Sequence, residues 1–451
     1  MEHVEVAIVG GGPAGSSAAW TAAEHGANAV VFEKGVPRED RDGPGPDSTD
    51  AAGLLDYWVD LMGFDSEEIP DEVVLRELDG AEFIGPSETL SIGETGIPSS
   101  YPSFGLAFDR AAFDDWLHEE SEAAGANHRV GDAVVDVETD LSGREPEHTL
   151  TLGDGTQFTA DYVVLADGPQ RTVTIETLDQ FTPPDQQMGD LLDPSQVNHI
   201  AYQEHRKLPA ELVDSSQLQF WWGHMPGHTA YPWVFPNDNN VARIGLTMPI
   251  GLDIDRFDTA EWPLLRSDDD RIPRGAEYLE RLVEHAYPGY ELEDMPLVEG
   301  RGKRDGTETY AISSTRPIES PTEANIAVVG GAMGGTSAFH EGGDHVAVRT
   351  GKIAGELAAT GNLERYNQSW QSVLDEEFYR NVAVADIVRD YGPTDWDQAF
   401  RLADTVMNSS RVKAAFRAGV PGLRLLWRYW RSGNRLENGG YVQFRESEYA
   451  V

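Results

Sequence analysis

The sequence predicts an α/β chain in which a doubly wound nucleotide-binding core is interrupted by an inserted sheet and followed by a helical region. Three observations carry this prediction: a strand, glycine turn, helix and second strand within the first 34 residues, alternating strands over about 175–300, and largely helical periodicity over 363–433. The apolar run Val4–Val9 reads as a buried parallel strand. It leads directly into Gly10-Gly11-Gly12-Pro13-Ala14-Gly15, the pattern G-x-G-x-x-G. Gly10 permits the tight turn, Gly12 lets backbone approach a pyrophosphate, and Gly15 lets the helix pack close to the sheet. Pro13 and Ala14 open that helix, whose N-terminal N–H groups favour phosphate. Glu33 ends the second strand, where a carboxylate accepts hydrogen bonds from a ribose 2′-OH, and Lys34 follows it. An acid at this place argues against a 2′-phosphate. The unit by itself does not distinguish FAD from NAD.

Further along, Gly35–Asp50 reads as a loop rich in Gly, Pro and Asp, followed by a helical stretch at about 51–61 and short strands over 73–94. Phe108–Ala123 reads as a helix with Phe113, Trp116 and Leu117 on one face. Strands are expected near 132–138, 147–152 and 156–159, with a hairpin turn at Gly153-Asp154-Gly155, and Tyr162–Leu165 as a separate short strand. The inserted region shows strands at 197–205, 216–223, 229–235 and 240–248 and a helix at 275–287. Asn325–Gly331 is a buried strand ending in glycine, and a helix starts near Asp344.

Composition narrows the function classes. Lys and Arg number 34 against 78 Asp and Glu, a net charge of −44 that repels nucleic acid. Lysine occurs only at positions 34, 207, 303, 352 and 413, and the acid-rich, lysine-poor balance resembles that of proteins from salt-accumulating archaea. This implies a haloarchaeal source and a need for high salt, which screens self-repulsion. Cysteine is absent, which removes disulfides, thiolate metal sites, iron–sulfur clusters and Cys nucleophiles together. No metal-spaced cluster stands out. With no signal-peptide pattern and no apolar run near about 18 residues, the expected location is cytoplasmic.

Two later segments select the cofactor. In Val163–Val173 (VVLADGPQRTV), a strand is followed by Ala-Asp-Gly and then Arg171. This resembles the second fingerprint of FAD enzymes of the glutathione-reductase-like class with a p-hydroxybenzoate-hydroxylase-type fold. The resemblance implies FAD-binding roles for Asp167 and Gly168, and for Arg110 at the start of a helix beside the flavin. The third fingerprint of that class is G-D-A followed by a glycine-rich helix start. Here Gly330-Gly331-Ala332 lacks the aspartate, while His340-Glu341-Gly342-Gly343-Asp344 retains the later part. Gly331, Gly342 and Gly343 are the implied contacts. His340 has two readings: a proton donor near the flavin, or a loop histidine bonded to backbone.

On the substrate side, Tyr231, Trp233 and Phe235 of AYPWVFP fall on one face of a strand, and Pro236 at its end is expected to contact substrate with them. Such a wall suits a long apolar substrate, with Tyr202, Trp221 and Trp222 expected to add to it. The segment resembles the Y-x-W-x-F-P motif of archaeal geranylgeranyl reductases, flavoenzymes that saturate isoprenoid double bonds of membrane lipids, and the resemblance runs in motif order along nearly the whole chain. It implies a Rossmann-like FAD-binding domain (1–72, 101–174 and 301–360), an antiparallel-sheet substrate domain (73–100 and 175–300) and a C-terminal helical region (361–451). A loop cysteine frequent in that family has no counterpart in Gly35–Asp50. The electron donor is a reduced small redox protein or NAD(P)H. The alternatives are a flavin monooxygenase acting on an apolar or aromatic substrate, and a lipid-binding protein with a degenerate flavin site.

Between Asp404 and Glu437 there is no acidic residue but seven basic ones, Arg411, Lys413, Arg417, Arg424, Arg428, Arg431 and Arg435. Arg424, Arg428 and Arg431 share a helical face, with Leu423, Leu426, Trp427 and Trp430 filling the other side. One reading places 411–435 on an anionic membrane surface at the inner face of the membrane; the other packs the basic stripe against the acidic body.

Overall fold

A computed structural model describes residues 1–36, 53–192, 197–213, 216–302, 304–313, 317–407, 427–431, 434 and 441–451. Two seven-stranded sheets organise the chain. In the first, Glu2–Val9 lies between Ala29–Glu33 and Gln157–Leu165, parallel to both, and Asn127–Val130 extends the sheet beyond Ala29–Glu33. Val4, Val6, Ala7 and Ile8 are fully buried, as strands covered on both faces require. Gln157–Leu165 is one continuous strand rather than two. Its first half pairs antiparallel with Glu147–Leu152 and its second half pairs parallel with Ile326–Val328, so one edge serves two neighbours in succession. Asp161 interrupts the apolar pattern without interrupting the strand. The strand predicted over 325–331 is only Ile326–Val328, because the chain turns at Gly330 (φ +57).

The glycine turn leads into the helix Pro13–Glu24, which packs against Asp344–Ala359 at backbone distance. A Cβ at Gly351 or Gly355 would overlap the carbonyls of Ala14 or Ala18. A Cβ at Gly15 would overlap the Gly10 carbonyl, so Gly15 serves packing, as the motif predicts.

The second sheet runs Thr307–Ile312, His199–Lys207, Val241–Pro249, Tyr231–Pro236, Gln217–Trp221, Gly80–Ile84 and Thr89–Ile92. It is antiparallel except where Gln217–Trp221 meets Gly80–Ile84. Thr307–Ile312, in the 301–360 span assigned to the nucleotide domain, is hydrogen-bonded into this second sheet. Val74–Leu78, from the 73–100 span, instead joins Gly53–Leu55 and Gly105–Phe108 in a small third sheet. The stretch expected to be helical at 51–61 is the strand Gly53–Leu55 followed by the helix Asp56–Met62.

The two faces of the second sheet have different cores. On one, Leu246, Ile244, Val234 and Trp221 pack against the helix Gly275–Ala286 through Tyr278, Leu279, Leu282 and Val283. On the other, Trp222, Tyr231, Trp233 and Phe235 pack with Leu218 and Phe104, and with Trp396 and Phe400 from the helix Pro393–Met407. Among the C-terminal residues, Tyr366–Val388 and Pro393–Met407 are helices. Residues 411–426 and 435, which carry most of the predicted basic stripe, lie outside the described residues, as do 37–52 of the acidic loop.

Candidate functional site

A single cavity of about 1670 Å³ runs from the glycine turn to the aromatic face of the second sheet. An ordinary small-molecule pocket has roughly 300–1,000 Å³, so there is room for a dinucleotide and a second ligand. At the nucleotide end it is lined by Gly10, Gly12, Pro13, Ala14, Glu33 and Lys34. Gly15 lies beneath this surface.

The backbone there is shaped for a ligand. Gly10 has φ +101, and a Cβ on it would come within 2.5 Å of the Ala166 carbonyl. A Cβ on Gly12 would meet nothing within 4 Å, so open space faces the helix N-terminus where a pyrophosphate would rest. Glu33 is already fixed: its Oε2 accepts the Gly11 N–H at 2.6 Å and its Oε1 accepts the Gly35 N–H at 2.6 Å. A carboxylate held in this way can accept further hydrogen bonds from ribose hydroxyls. These residues fit the adenosine and pyrophosphate half of a dinucleotide such as FAD.

Asp167 and Gly168 also line the cavity. Asp167 accepts the N–H groups of Val173 (2.7 Å) and Thr174 (3.1 Å), anchoring the start of the helix Thr172–Asp179. Burial pushes its carboxyl above the usual range, against those hydrogen bonds. Arg171 is fully buried, with Nε donating to the Ala332 carbonyl at 2.8 Å, so it ties the second fingerprint to the third. Arg110 lines the cavity between two carboxylates, Asp114 at 2.7 Å and Asp344 at 3.0 Å. Its charge is balanced before any ligand arrives.

Gly331 has a local explanation. A Cβ there would stand 3.2 Å from both the ring Cδ and the nitrogen of Pro169, neither of which is a flexible end. An aspartate in this position would therefore crowd the Ala-Asp-Gly-Pro turn. Gly342 and Gly343 border the cavity just before the helix Asp344–Ala359, as the third fingerprint implies.

His340 lines the cavity, but its Nδ1 accepts the Gly342 N–H at 3.2 Å and its carbonyl accepts the Tyr231 hydroxyl at 2.6 Å. Burial, helped by the neighbouring His345, pushes the imidazole down to about 4. This is the backbone-bonded alternative and not a proton donor titrating near neutrality.

At the aromatic end, Tyr231, Trp233, Phe235 and Trp222 all line the cavity. Trp222 stacks on Tyr231 (4.3 Å between centroids) and on Phe339 (5.1 Å). Tyr202 does not join them. It pairs with Leu246, which pairs with Pro232, so register puts its ring on the opposite face, against Gly275. Pro236 and Trp221 fall outside the lining for the same alternation. The sequence reading passed over Phe83 and Phe220, stacked at 5.3 Å, and Phe339, which extend the wall from other parts of the chain. It also passed over Glu341, whose neighbours in the sequence carry no sign of what it meets. Glu341 is buried between His199, Thr229 and Thr247, three residues of the second-sheet region. Among the described residues there is no group of His, Asp and Glu arranged to hold a metal ion.

Residues 8–36 match the NAD(P)-binding Rossmann-like domain family. Along its length the chain is similar to digeranylgeranylglycerophospholipid reductase 1 of Methanococcoides burtonii, with 26% identity covering 94% of each chain. It is also similar to menaquinone reductase of Mycolicibacterium smegmatis, with 24% identity covering 85% of this chain and 83% of the relative. Among solved structures, a geranylgeranyl bacteriochlorophyll reductase-like protein of Thermoplasma acidophilum shares the fold, with a TM-score of 0.64 at 20% identity, covering 97% of this chain and 99% of that one. In each case the similarity runs along most of the chain.

Proposed function

We infer that this chain is an FAD-dependent oxidoreductase of the geranylgeranyl reductase family and that it saturates C=C bonds in isoprenoid chains of membrane lipids. The observation that carries the reading is the continuity of one cavity from a glycine-lined dinucleotide cradle to an aromatic wall. When bound, reduced flavin supplies hydride chemistry. The chain's own residues bind, orient and exclude water. Glu33 and the Gly10–Ala14 turn hold the adenosine half, while Gly331, Gly342 and Gly343 leave backbone-only surface where the ring system would approach. Tyr231, Trp233, Phe235 and Trp222 give a polyisoprenoid a flat apolar surface, replacing water along its length.

The electron donor is a visiting one, a reduced small redox protein or NAD(P)H, because the sequence holds a single complete G-x-G-x-x-G. The C-terminal region is proposed to rest on anionic lipid. Trp427 (57% exposed) and Trp430 (65%) stand beside Arg428 and Arg431, a pairing suited to a headgroup layer. No helix among the described residues is long and apolar enough to cross a membrane.

Purified protein is expected to show flavin absorbance and to release FAD on denaturation. Under anaerobic conditions with dithionite, it is expected to add two hydrogens per double bond to a geranylgeranyl glycerophospholipid, read by mass spectrometry. Colourless protein releasing no FAD sinks the cofactor reading; flavin-loaded protein that leaves the lipid unsaturated sinks the substrate reading. Flotation with anionic liposomes, with and without residues 405–451, tests the membrane contact, and undiminished binding after truncation removes it.

A further inference from the structure

Glu341 is set where two strained pieces of backbone meet. Its φ is +60, and that of Thr229 is +53. The left-handed region is unfavourable for any side-chain-bearing residue and most of all for a β-branched one, and such strain gathers at functional sites. The two residues are 112 positions apart, yet Thr229 Oγ1 donates to Glu341 Oε1 at 3.3 Å. His199 Nε2 stands 3.3 Å from the same oxygen, and the Thr247 hydroxyl donates to Oε2. The carboxyl side chain is 2% exposed and contributes to the cavity lining, as does Thr247. It stands between the glycines at the start of the Asp344–Ala359 helix and Tyr231, the first residue of the aromatic wall. Neither nucleotide binding nor the wall explains a carboxyl there.

We propose that Glu341 is the acid that protonates the double bond during reduction, held in place by Thr229, Thr247 and His199. This rests on the reading of the cavity as a site of alkene reduction. Saturation of C=C takes one hydride and one proton. Bound reduced flavin would supply the hydride, with its electron pair, to one carbon. The O–H bond of Glu341 breaks, and its proton forms the new C–H bond at the other carbon. The carboxylate left behind accepts hydrogen bonds from the two threonine hydroxyls, with His199 Nε2 3.3 Å from Oε1, and is reprotonated from solvent before the next turnover.

Burial raises the Glu341 carboxyl above the usual range, while His199 and the two threonines oppose that rise. The other titratable groups facing it are Tyr231, raised well above its usual range by burial and by Glu341, and the neighbouring His340, kept neutral by burial. His228 stands behind His199, with ring centroids 5.6 Å apart, and burial pushes it down to about 4.

The test compares parent and E341Q as flavin-loaded full chains, reduced anaerobically with dithionite and given a geranylgeranyl glycerophospholipid. E341Q keeps the hydrogen-bonding shape but has no acidic proton. Its flavin content and KM are expected to stay within about threefold, with kcat falling about 100-fold or more, the range for a lost general acid. The alkaline limb of the parent's kcat profile is expected to vanish. Infrared spectra should show a protonated-carboxyl carbonyl band in the parent at neutral pH that E341Q lacks. Should E341Q misfold, E341G removes the acid and relieves the positive φ, with the same readouts. A kcat within threefold of the parent, or an unchanged carboxyl band, overturns the role of Glu341. A flavin-loaded parent that leaves the lipid unsaturated overturns the alkene-reduction reading and this assignment together.

Discussion

At the nucleotide end of the cavity, the lining includes five consecutive residues, Gly10–Ala14, together with Glu33 at the end of the adjacent strand. At the aromatic end, the wall is assembled from Phe83, Phe220, Trp222, the Tyr231–Phe235 strand and Phe339, contributed by distant stretches of chain. The first end is local: backbone conformation, positive φ and a helix N-terminus do the work, and each follows from residues adjacent in sequence. The second end is non-local, and which aromatic ring reaches the cavity depends on pairing register. A motif therefore suffices to predict one end, whereas the other needs the sheet to be assembled first.

The largest effect on cofactor binding should come from breaking the local end. Gly15→Leu puts a side chain where even a Cβ overlaps the Gly10 carbonyl. Overpacking of this kind costs about 1–3 kcal/mol or more. The expected outcome is complete loss of bound flavin with a lowered Tm, read by absorbance and thermal melting. At the non-local end, the contrast is between two faces of one sheet. Trp233→Ala removes a buried ring from the cavity face and should cost about 3–5 kcal/mol of stability, with a raised KM for long isoprenoids. Tyr202→Phe, on the opposite face, deletes only the hydroxyl that donates to Glu204 at 2.5 Å, so turnover should match the parent. Equal effects of the two on KM would break the assignment of faces. Glu33→Gln should weaken FAD by about 1.5–3 kcal/mol, the worth of hydrogen bonds to a charged group, measured by titration of the apoprotein.

The smallest effect concerns acid stability. Burial holds neutral His148 and His224 at about 4, below the roughly 6.5 of an unfolded chain. As pH falls, the unfolded state takes up these protons first, so stability is lost from pH ~6.5 down toward ~4. Each histidine contributes a slope of about 1.4 kcal/mol per pH unit. His148→Asn should flatten the slope of thermal or urea stability against pH by that amount, and an unchanged slope would show that His148 does not titrate in this way.

Sequence alone carried far at Gly10–Glu33, because helix start, turn and acid are fixed by neighbours in the chain. It also placed Tyr231, Trp233 and Phe235 on one face, since alternation along a strand is a local property. It misplaced Tyr202 because its side is set by register with Leu246, which no pattern within its own segment reveals, whereas Pro236 is put on the opposite face by alternation from Phe235 alone. His340 was singled out over Glu341 because imidazole chemistry is conspicuous in a sequence. Burial reverses their prospects, making the histidine a neutral acceptor and the carboxyl a reluctant acid. The positive φ values of Thr229 and Glu341 have no glycine or asparagine to announce them.

The strand Gln157–Leu165 also has a consequence in time. Its second half lies beside Ile326–Val328, and Val163 donates its N–H to the Asn325 carbonyl at 3.0 Å. On the ribosome that partner emerges more than 150 residues later, after the entire inserted sheet. Until then the strand shows an open, apolar hydrogen-bonding edge, the kind of surface that recruits wrong partners. Long-range parallel pairing of this sort is intrinsically slow to form. The cradle for the dinucleotide is therefore opened by Glu2–Val9 and completed only after the inserted sheet has been made, so a nascent chain halted before Asn325 should be especially prone to aggregate.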